Sequence, residues 1–133
     1  MPGTGAGRLG ILETSICVKE VVDLTKTHLS MKNLRLALAN DCTMDSPVKS
    51  IAVCAGSGGS VLAGVNADMV ITGEMSHHEV LDFVHKGVSV ILADHSNTER
   101  GYLKVVKGKI GELVGSDVNI LISEVDRDPL QII

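Results

Sequence analysis

The chain has 133 residues, 44% of them hydrophobic, with 12 basic against 16 acidic side chains and a formal net charge of −4. Its mean hydropathy is +0.27. This length suits one domain with a core of its own. The composition excludes a disordered tail, and no apolar run reaches the ~18–20 residues of a membrane-spanning helix. The acidic surplus and the presence of only two aromatics, Phe83 and Tyr102, argue against direct nucleic-acid binding, which needs local Lys and Arg or stacking platforms. Met1–Gly10 is glycine-rich without an apolar centre and does not read as a secretory signal. Cys17, Cys42 and Cys54 are odd in number and widely spaced, which points to a reducing compartment rather than a disulfide framework. So high an apolar fraction in a 14.0 kDa chain points to apolar surface that a partner, or another part of the same protein, covers.

In chain order, Leu9–Leu12 reads as a short strand and Ser15–Leu29 as an amphipathic helix, with Val18, Val21, Val22, Thr25 and Leu29 on one stripe. Leu34–Leu38 alternates as a strand, and Asn40–Lys49, containing Pro47, reads as a polar loop. The continuous apolar run Ile51–Ala55 predicts a strand covered on both faces, with Cys54 as a small buried hydrophobe. The turn Gly56–Gly59 leads into a short helix near Ser60–Gly64, and Met69–Thr72 is the next strand. Ser76-His-His-Glu79 and Ser96-Asn-Thr-Glu99 both match the capping box of a helix start. The first predicts a helix to about Lys86 with Gly87 as its stop; the second predicts one continuous helix to about Gly111. Val88–Ala93 between them is a buried strand, Val118–Ile122 a last strand, and Leu130–Ile133 an apolar tail after Pro129. The result is one α/β domain over residues 1–133, a mixed sheet flanked by helices.

Three segments carry candidate chemistry. The turn Gly56-Ser57-Gly58-Gly59-Ser60 follows a strand and opens a helix, which suits a phosphate or carboxylate, but it also serves as a tight turn without a ligand. His95 and Glu99 lie four apart after a buried strand and could converge on one zinc, manganese or iron ion; Glu99 also fits as the capping-box acid. Glu74, in Thr72-Gly73-Glu74 beyond the preceding strand, is a candidate acid or base, or a complement to the helix dipole. Adjacent His77 and His78 point ~100° apart on a helix and cannot share one face. His77 falls on the apolar stripe as a structural residue, His78 on the wetter face, and His28 and His85 read as surface residues.

Ala52-Val-Cys-Ala-Gly56-Ser-Gly-Gly-Ser60, Ala67-Asp-Met-Val-Ile-Thr-Gly-Glu74 and His95-Ser-Asn-Thr-Glu99-Arg100-Gly101 occur in this order. Together they resemble the C-terminal part of the NIF-three-like family, also called GTP cyclohydrolase 1 type 2 homologs. The resemblance runs from Gly7 to Pro129 and implies an α/β protein that forms dimers or rings around a two-metal centre. It places His95 and Glu99 among the metal ligands, with Thr72, Gly73, Glu74 and His78 beside the metals or the substrate. The remaining ligands of the family, a His-His pair and an aspartate, belong to an N-terminal half that this chain is expected to lack. His77 and His78 are not that pair, since they follow the Thr-Gly-Glu motif, and Asp94 stands where many relatives have glycine.

Two functions follow as expectations. The parent protein would be a metal-dependent hydrolase of a small nucleotide-like or phosphorylated substrate, using divalent cations that this chain alone holds incompletely, if at all, and the chain alone would be inactive. The alternative is an interaction module that partners a transcriptional co-regulator through protein contacts. The resemblance implies a homo-oligomer, cytoplasmic and also able to enter the nucleus, with no membrane or direct nucleic-acid partner.

Overall fold

Five segments pair into one mixed sheet in the computed structural model, which describes residues 4–130. The elements run β1 (Arg8–Cys17), α1 (Val18–Leu29), β2 (Arg35–Ala37), β3 (Pro47–Ser57), α2 (Gly59–Leu62), β4 (Met69–Glu74), α3 (His77–His85), β5 (Ser89–Leu92), α4 (His95–Arg100) and α5 (Leu103–Val114). The strand order is β1-β3-β4-β5-β2. β3, β4 and β5 are parallel, so each link between them crosses over, through α2 and then α3. β1 and β2 pair antiparallel along the two edges. This is the expected single α/β domain.

Two apolar layers hold the sheet. On one face Ala52, Cys54, Val70, Val90 and Leu92 pack with Leu62 and Phe83 of the crossover helices. On the other, Val48, Met69 and Ile91 pack with Val18, Val21 and Val22 of α1, the stripe read from the sequence. Every residue of β5 is buried, Ser89 included, as expected for the buried strand Val88–Ala93. β3 departs from that expectation. Ala52 and Cys54 are buried, but Val53, on the α1 face, is 39% exposed. α1 does not reach across this end of the sheet, which leaves an apolar cavity of about 460 Å³ lined by Leu12, Ile16, Leu24, Ile51, Val53 and Ile71 among others. Burial raises the pKa of the Cys54 thiol and keeps it protonated, as a buried hydrophobe should be.

Other boundaries shift for tertiary reasons. β1 continues past a bulge to Cys17, because Ile16 and Cys17 pair with Val48 and Pro47, so α1 begins at Val18 rather than Ser15. β3 therefore takes in Pro47–Lys49, which reads as loop in the sequence; a proline is tolerated at a strand's first residue. The Ser76 capping box forms as predicted: Glu79 N–H donates to Ser76 Oγ at 3.3 Å, and Ser76 N–H donates to Glu79 Oε2 at 2.6 Å. Gly87 follows the helix at φ +82°. The Ser96 box does not form. Asp94 is the N-cap of α4, which stops at Arg100, and α5 starts anew at Leu103, so the expected continuous helix is two. Val118–Ile122 forms no strand; Ile120 and Ile122 line a small cleft against Leu103, Val106 and Ile110 of α5. The tail expected at Leu130–Ile133 lies beyond the described residues after Leu130. Among the described residues no helix is long and apolar enough to cross a membrane.

Asp68 fastens the start of β4 to the β1–β3 bulge. Its Oδ2 accepts from the backbone N–H groups of Lys49 and Ser50 and from Ser50 Oγ, each at 2.8 Å. Partial burial pushes the carboxyl up, but these three donors outweigh it and hold the pKa below the ordinary aspartate value. A folded-state pKa below the unfolded one gives stability that is present at neutral pH and lost as pH falls through the folded pKa. Asp68→Ala is expected to cost about 1–2 kcal/mol at pH 7 by urea denaturation, with the difference from the parent chain shrinking below about pH 4.

Candidate functional site

The C-terminal ends of β3, β4 and β5 meet at one edge of the sheet, where parallel α/β sheets expose functional groups. Glu74 ends β4, the turn after β5 delivers His95 to the first position of α4, and Gly56 lies near the end of β3 at φ +68°. Backbone bonds join the three ends. Ala93 N–H donates to Thr72 O at 3.0 Å and Gly58 N–H donates to Glu74 O at 3.3 Å. The fully buried Thr72 donates from Oγ1 to Gly56 O at 3.1 Å. Gly56 N–H in turn donates to Thr98 Oγ1 at 2.8 Å, and that hydroxyl donates to His95 O at 2.7 Å. Thr98 is therefore a buckle between β3 and α4, a role its sequence context does not signal.

Gly73 sits where these segments touch. A Cβ there would lie 2.6 Å from Gly56 O, 2.8 Å from His95 Cα and 2.9 Å from Asp94 O, all backbone atoms that a side chain cannot push aside. Asp94 occupies φ +60°, ψ +151°, a region natural to glycine and strained for any other residue. Its carboxylate holds Arg35 Nη2 of β2 at 3.0 Å.

The polar centre is His95. Its Nδ1 lies 2.8 Å from Glu74 Oε1, and its Nε2 lies 3.5 Å from Glu99 Oε1. Glu99 thus faces the imidazole instead of returning to Ser96 as a capping acid. The Glu74 hydrogen bond raises the His95 pKa above the ordinary imidazole value; slight desolvation opposes it, and the charges of Glu99, Glu74 and Asp128 reinforce it. The bare Cα of Gly56 makes room for the pair, since a Cβ there would lie 2.8 Å from Glu99 Oε1 and 3.0 Å from His95 Nε2. One nitrogen and one oxygen donor on adjacent helical turns, with the other ring nitrogen held by a carboxylate, fit part of a divalent-cation site. Among the described residues no group of three or more His, Cys, Asp or Glu side chains is arranged to hold a metal ion.

The other candidates lie apart from His95 or act beneath it. His78 is exposed on α3 with its ring edge-on to His77, 5.9 Å between centroids. No hydrogen bond or ion pair joins it to Glu74, His95 or Glu99 among the described residues. His77 is exposed too, at the rim of a cleft with Met75 and Val80 rather than inside the core. In the Gly56–Ser60 turn, side chains at Gly58 and Gly59 would collide with Thr72 and with the Glu79 carboxylate respectively, so an acid already faces the start of the four-residue α2. Arg100, which motif reading does not single out as a site residue, bonds Asn97 Oδ1 at 2.8 Å and Asp126 Oδ2 at 2.7 Å and ties the segment after α5 to α4.

The family model for Duf34/NIF3 (NGG1p interacting factor 3) matches residues 3–129. The chain belongs to the Duf34/NIF3 family. It is 52% identical to NIF3-like protein 1 of Rattus norvegicus over 130 residues, covering 98% of this chain and 35% of that protein. It is 42% identical to the protein NIF3 homolog of Schizosaccharomyces pombe, covering 95% of this chain and 46% of that one. The fold is that of Staphylococcus aureus protein SA1388, with a TM-score of 0.76 at 23% identity, covering 97% of this chain and 42% of that one. The chain thus spans about a third of the length of its mammalian relatives.

Two substitutions at the Gly73 junction separate its packing from its strain. Gly73→Ala is expected to destabilise by about 2–3 kcal/mol or more, through overpacking against backbone. Asp94→Gly is expected to raise the thermal midpoint, because relief of about 1–3 kcal/mol of strain exceeds the loss of one half-exposed ion pair. A lower midpoint for Asp94→Gly would show that the Arg35 pair is the larger effect.

Proposed function

We propose that His95 and Glu99 supply two ligands of a divalent-metal site, and that a longer chain of this family carrying further ligands is a metal-dependent hydrolase. The observation that carries the reading is the clamp of His95 Nδ1 by Glu74 at 2.8 Å, which leaves Nε2 facing Glu99. A carboxylate on one ring nitrogen places the proton there and leaves the other nitrogen as a ligand. A bound cation pair would supply hydroxide and polarise a phosphoryl group or ring carbon of a small phosphorylated or nucleotide-like substrate. Glu74, about half exposed, is the candidate for holding or passing a proton at the Nδ1 side. Thr72, Gly73 and Thr98 fix the distance between the strand ends and α4. In this reading the protein is homo-oligomeric and works in the cytoplasm, with access to the nucleus.

A second reading, an interaction module that contacts a transcriptional co-regulator, is favoured by exposed apolar side chains. Leu9 and Ile11 of β1, Leu24 of α1 and Val53 of β3 are all exposed, and the family description names an interacting factor. The two readings part at His95.

Metal content by mass spectrometry, after dialysis against trace zinc, manganese and iron, tests the proposal. Weak, sub-stoichiometric retention is expected in the parent chain, which carries two of the ligands, and none in His95→Ala. Glu74→Gln is expected to weaken retention about tenfold or more by loosening the imidazole. Equal metal in the parent chain and His95→Ala, or none in either, would leave Glu74, His95 and Glu99 a hydrogen-bonded cluster and favour the interaction module.

A further inference from the structure

Beside the His95 site lies a second cavity of about 490 Å³, lined by residues 4–8, Val53, Cys54, Ala55, Tyr102 and Lys109. Its size is that of a small-molecule pocket. Its charge runs against that of the chain. The net charge is −4, yet the charged residues among the described lining, Arg8 and Lys109, are both cationic.

Both cations are held in place by particular contacts. Lys109 Nζ donates to Tyr102 Oη at 2.7 Å and lies 5.4 Å from the centre of that ring. Arg8 Nη1 donates to Gly7 O at 2.7 Å and Gly5 O at 2.9 Å, so the loop coils back under the guanidinium. The loop is packed tightly at Gly7, where a Cβ would lie 3.1 Å from Val53 O. The cavity also adjoins the candidate metal ligands through the chain. Ala55 in its wall precedes Gly56, and Tyr102 N–H donates to Glu99 O at 3.0 Å.

We propose that this cavity binds the phosphoryl end of a small ligand, with Lys109 and Arg8 as counter-charges and the Tyr102 hydroxyl as a hydrogen-bond partner. It deepens the metal-hydrolase reading, on which its assignment to a substrate rests, by placing substrate anion recognition here rather than in the Gly56–Ser60 turn. Lys109 brings a compact charge to phosphoryl oxygens, and Arg8, with Nη1 engaged by the Gly5 and Gly7 carbonyls, adds positive potential to the same wall. The Val53 and Ala55 side leaves room for a less polar body on the ligand.

The test is calorimetric titration of inorganic pyrophosphate into the metal-free full chain at ~0.15 M ionic strength, where long-range attraction is screened. Saturable binding near one to one is expected, weakened about tenfold in Lys109→Gln and again in Arg8→Gln. Lys104→Gln, about 140° around α5 from Lys109, is expected to bind like the parent chain. The two test residues sit on different elements and both are exposed, so melting curves will show whether each variant remains folded. Absent or unsaturable binding, equal binding of sulfate, or equal weakening by Lys104→Gln would overturn the assignment. Because metal content is read on separate samples, metal retention without pyrophosphate binding defeats this inference alone. Pyrophosphate binding without metal retention defeats the metal reading and leaves the anion site standing.

Discussion

The arrangement depends on a backbone contact with no side chain in it. Gly73 lets β4 approach the carbonyls of Gly56 and Asp94 and the Cα of His95 more closely than a Cβ would allow. That approach brings the ends of three strands within hydrogen-bonding range of one another and of α4. Thr72 and Thr98 then lock it, each bridging to Gly56 from a different side. Thr72 is wholly buried, so its hydroxyl gains more from a partner than an exposed one would, and loses more without it. The position of His95 is thus set by a chain of directional bonds anchored in the buried Thr72, while its ring and the two acids beside it remain solvent-exposed.

Strain and charge are concentrated at the same junction. Asp94 holds a glycine-type backbone conformation immediately before His95, and its carboxylate reaches across to Arg35 on the edge strand β2. The surrounding contacts impose the conformation: β5 delivers the chain, Gly73 limits its path, and α4 must start at the next residue. The departure from glycine that the family resemblance marks at Asp94 is therefore a departure at the most strained non-glycine residue of the site. Glu74, His95 and Glu99 then place two acids around one imidazole, which favours its protonated form when no cation is bound. A divalent cation at Nε2 would substitute for that proton, so the cluster is electrostatically suited to bind a positive charge in either form.

The sheet's two faces differ. α2 and α3 bury one face through Phe83 and Leu62, whereas α1 leaves Val53 and the neighbouring cavity open on the other. The uncovered region lies at the same strand ends as the His95 cluster: Ala55 lines both this apolar cavity and the cationic one, and Thr98 lines the apolar one. The exposed apolar side chains gather mainly on β1, α1, the exposed side of β3, α5 and the segment beyond it, with Met44, Val61 and Leu81 exposed singly elsewhere.

Elements whose signals are local were legible in the sequence. The α1 stripe, the Ser76 capping box with its Gly87 stop, and the largely apolar β5 segment each depend on residues within a few positions of one another. The His95–Glu99 spacing likewise placed two donors on one helical face. Where a local signal competed with a distant partner, the partner prevailed. Glu99 could have capped Ser96 but faces His95, so the capping box is lost, and the expected long helix divides separately at Gly101–Tyr102. Residues 15–17 could have begun a helix, yet Ile16 and Cys17 pair with β3. The clamp of His95 by Glu74 spans 21 residues, and the Gly73 contact joins three segments, so neither leaves a periodicity to read. The sequence by itself determined which residues are apolar, where local caps hold and which donors share a helical turn. The parallel alignment of β3, β4 and β5 decided which of those donors meet, because only pairing across strands fixes the separation of groups far apart along the chain.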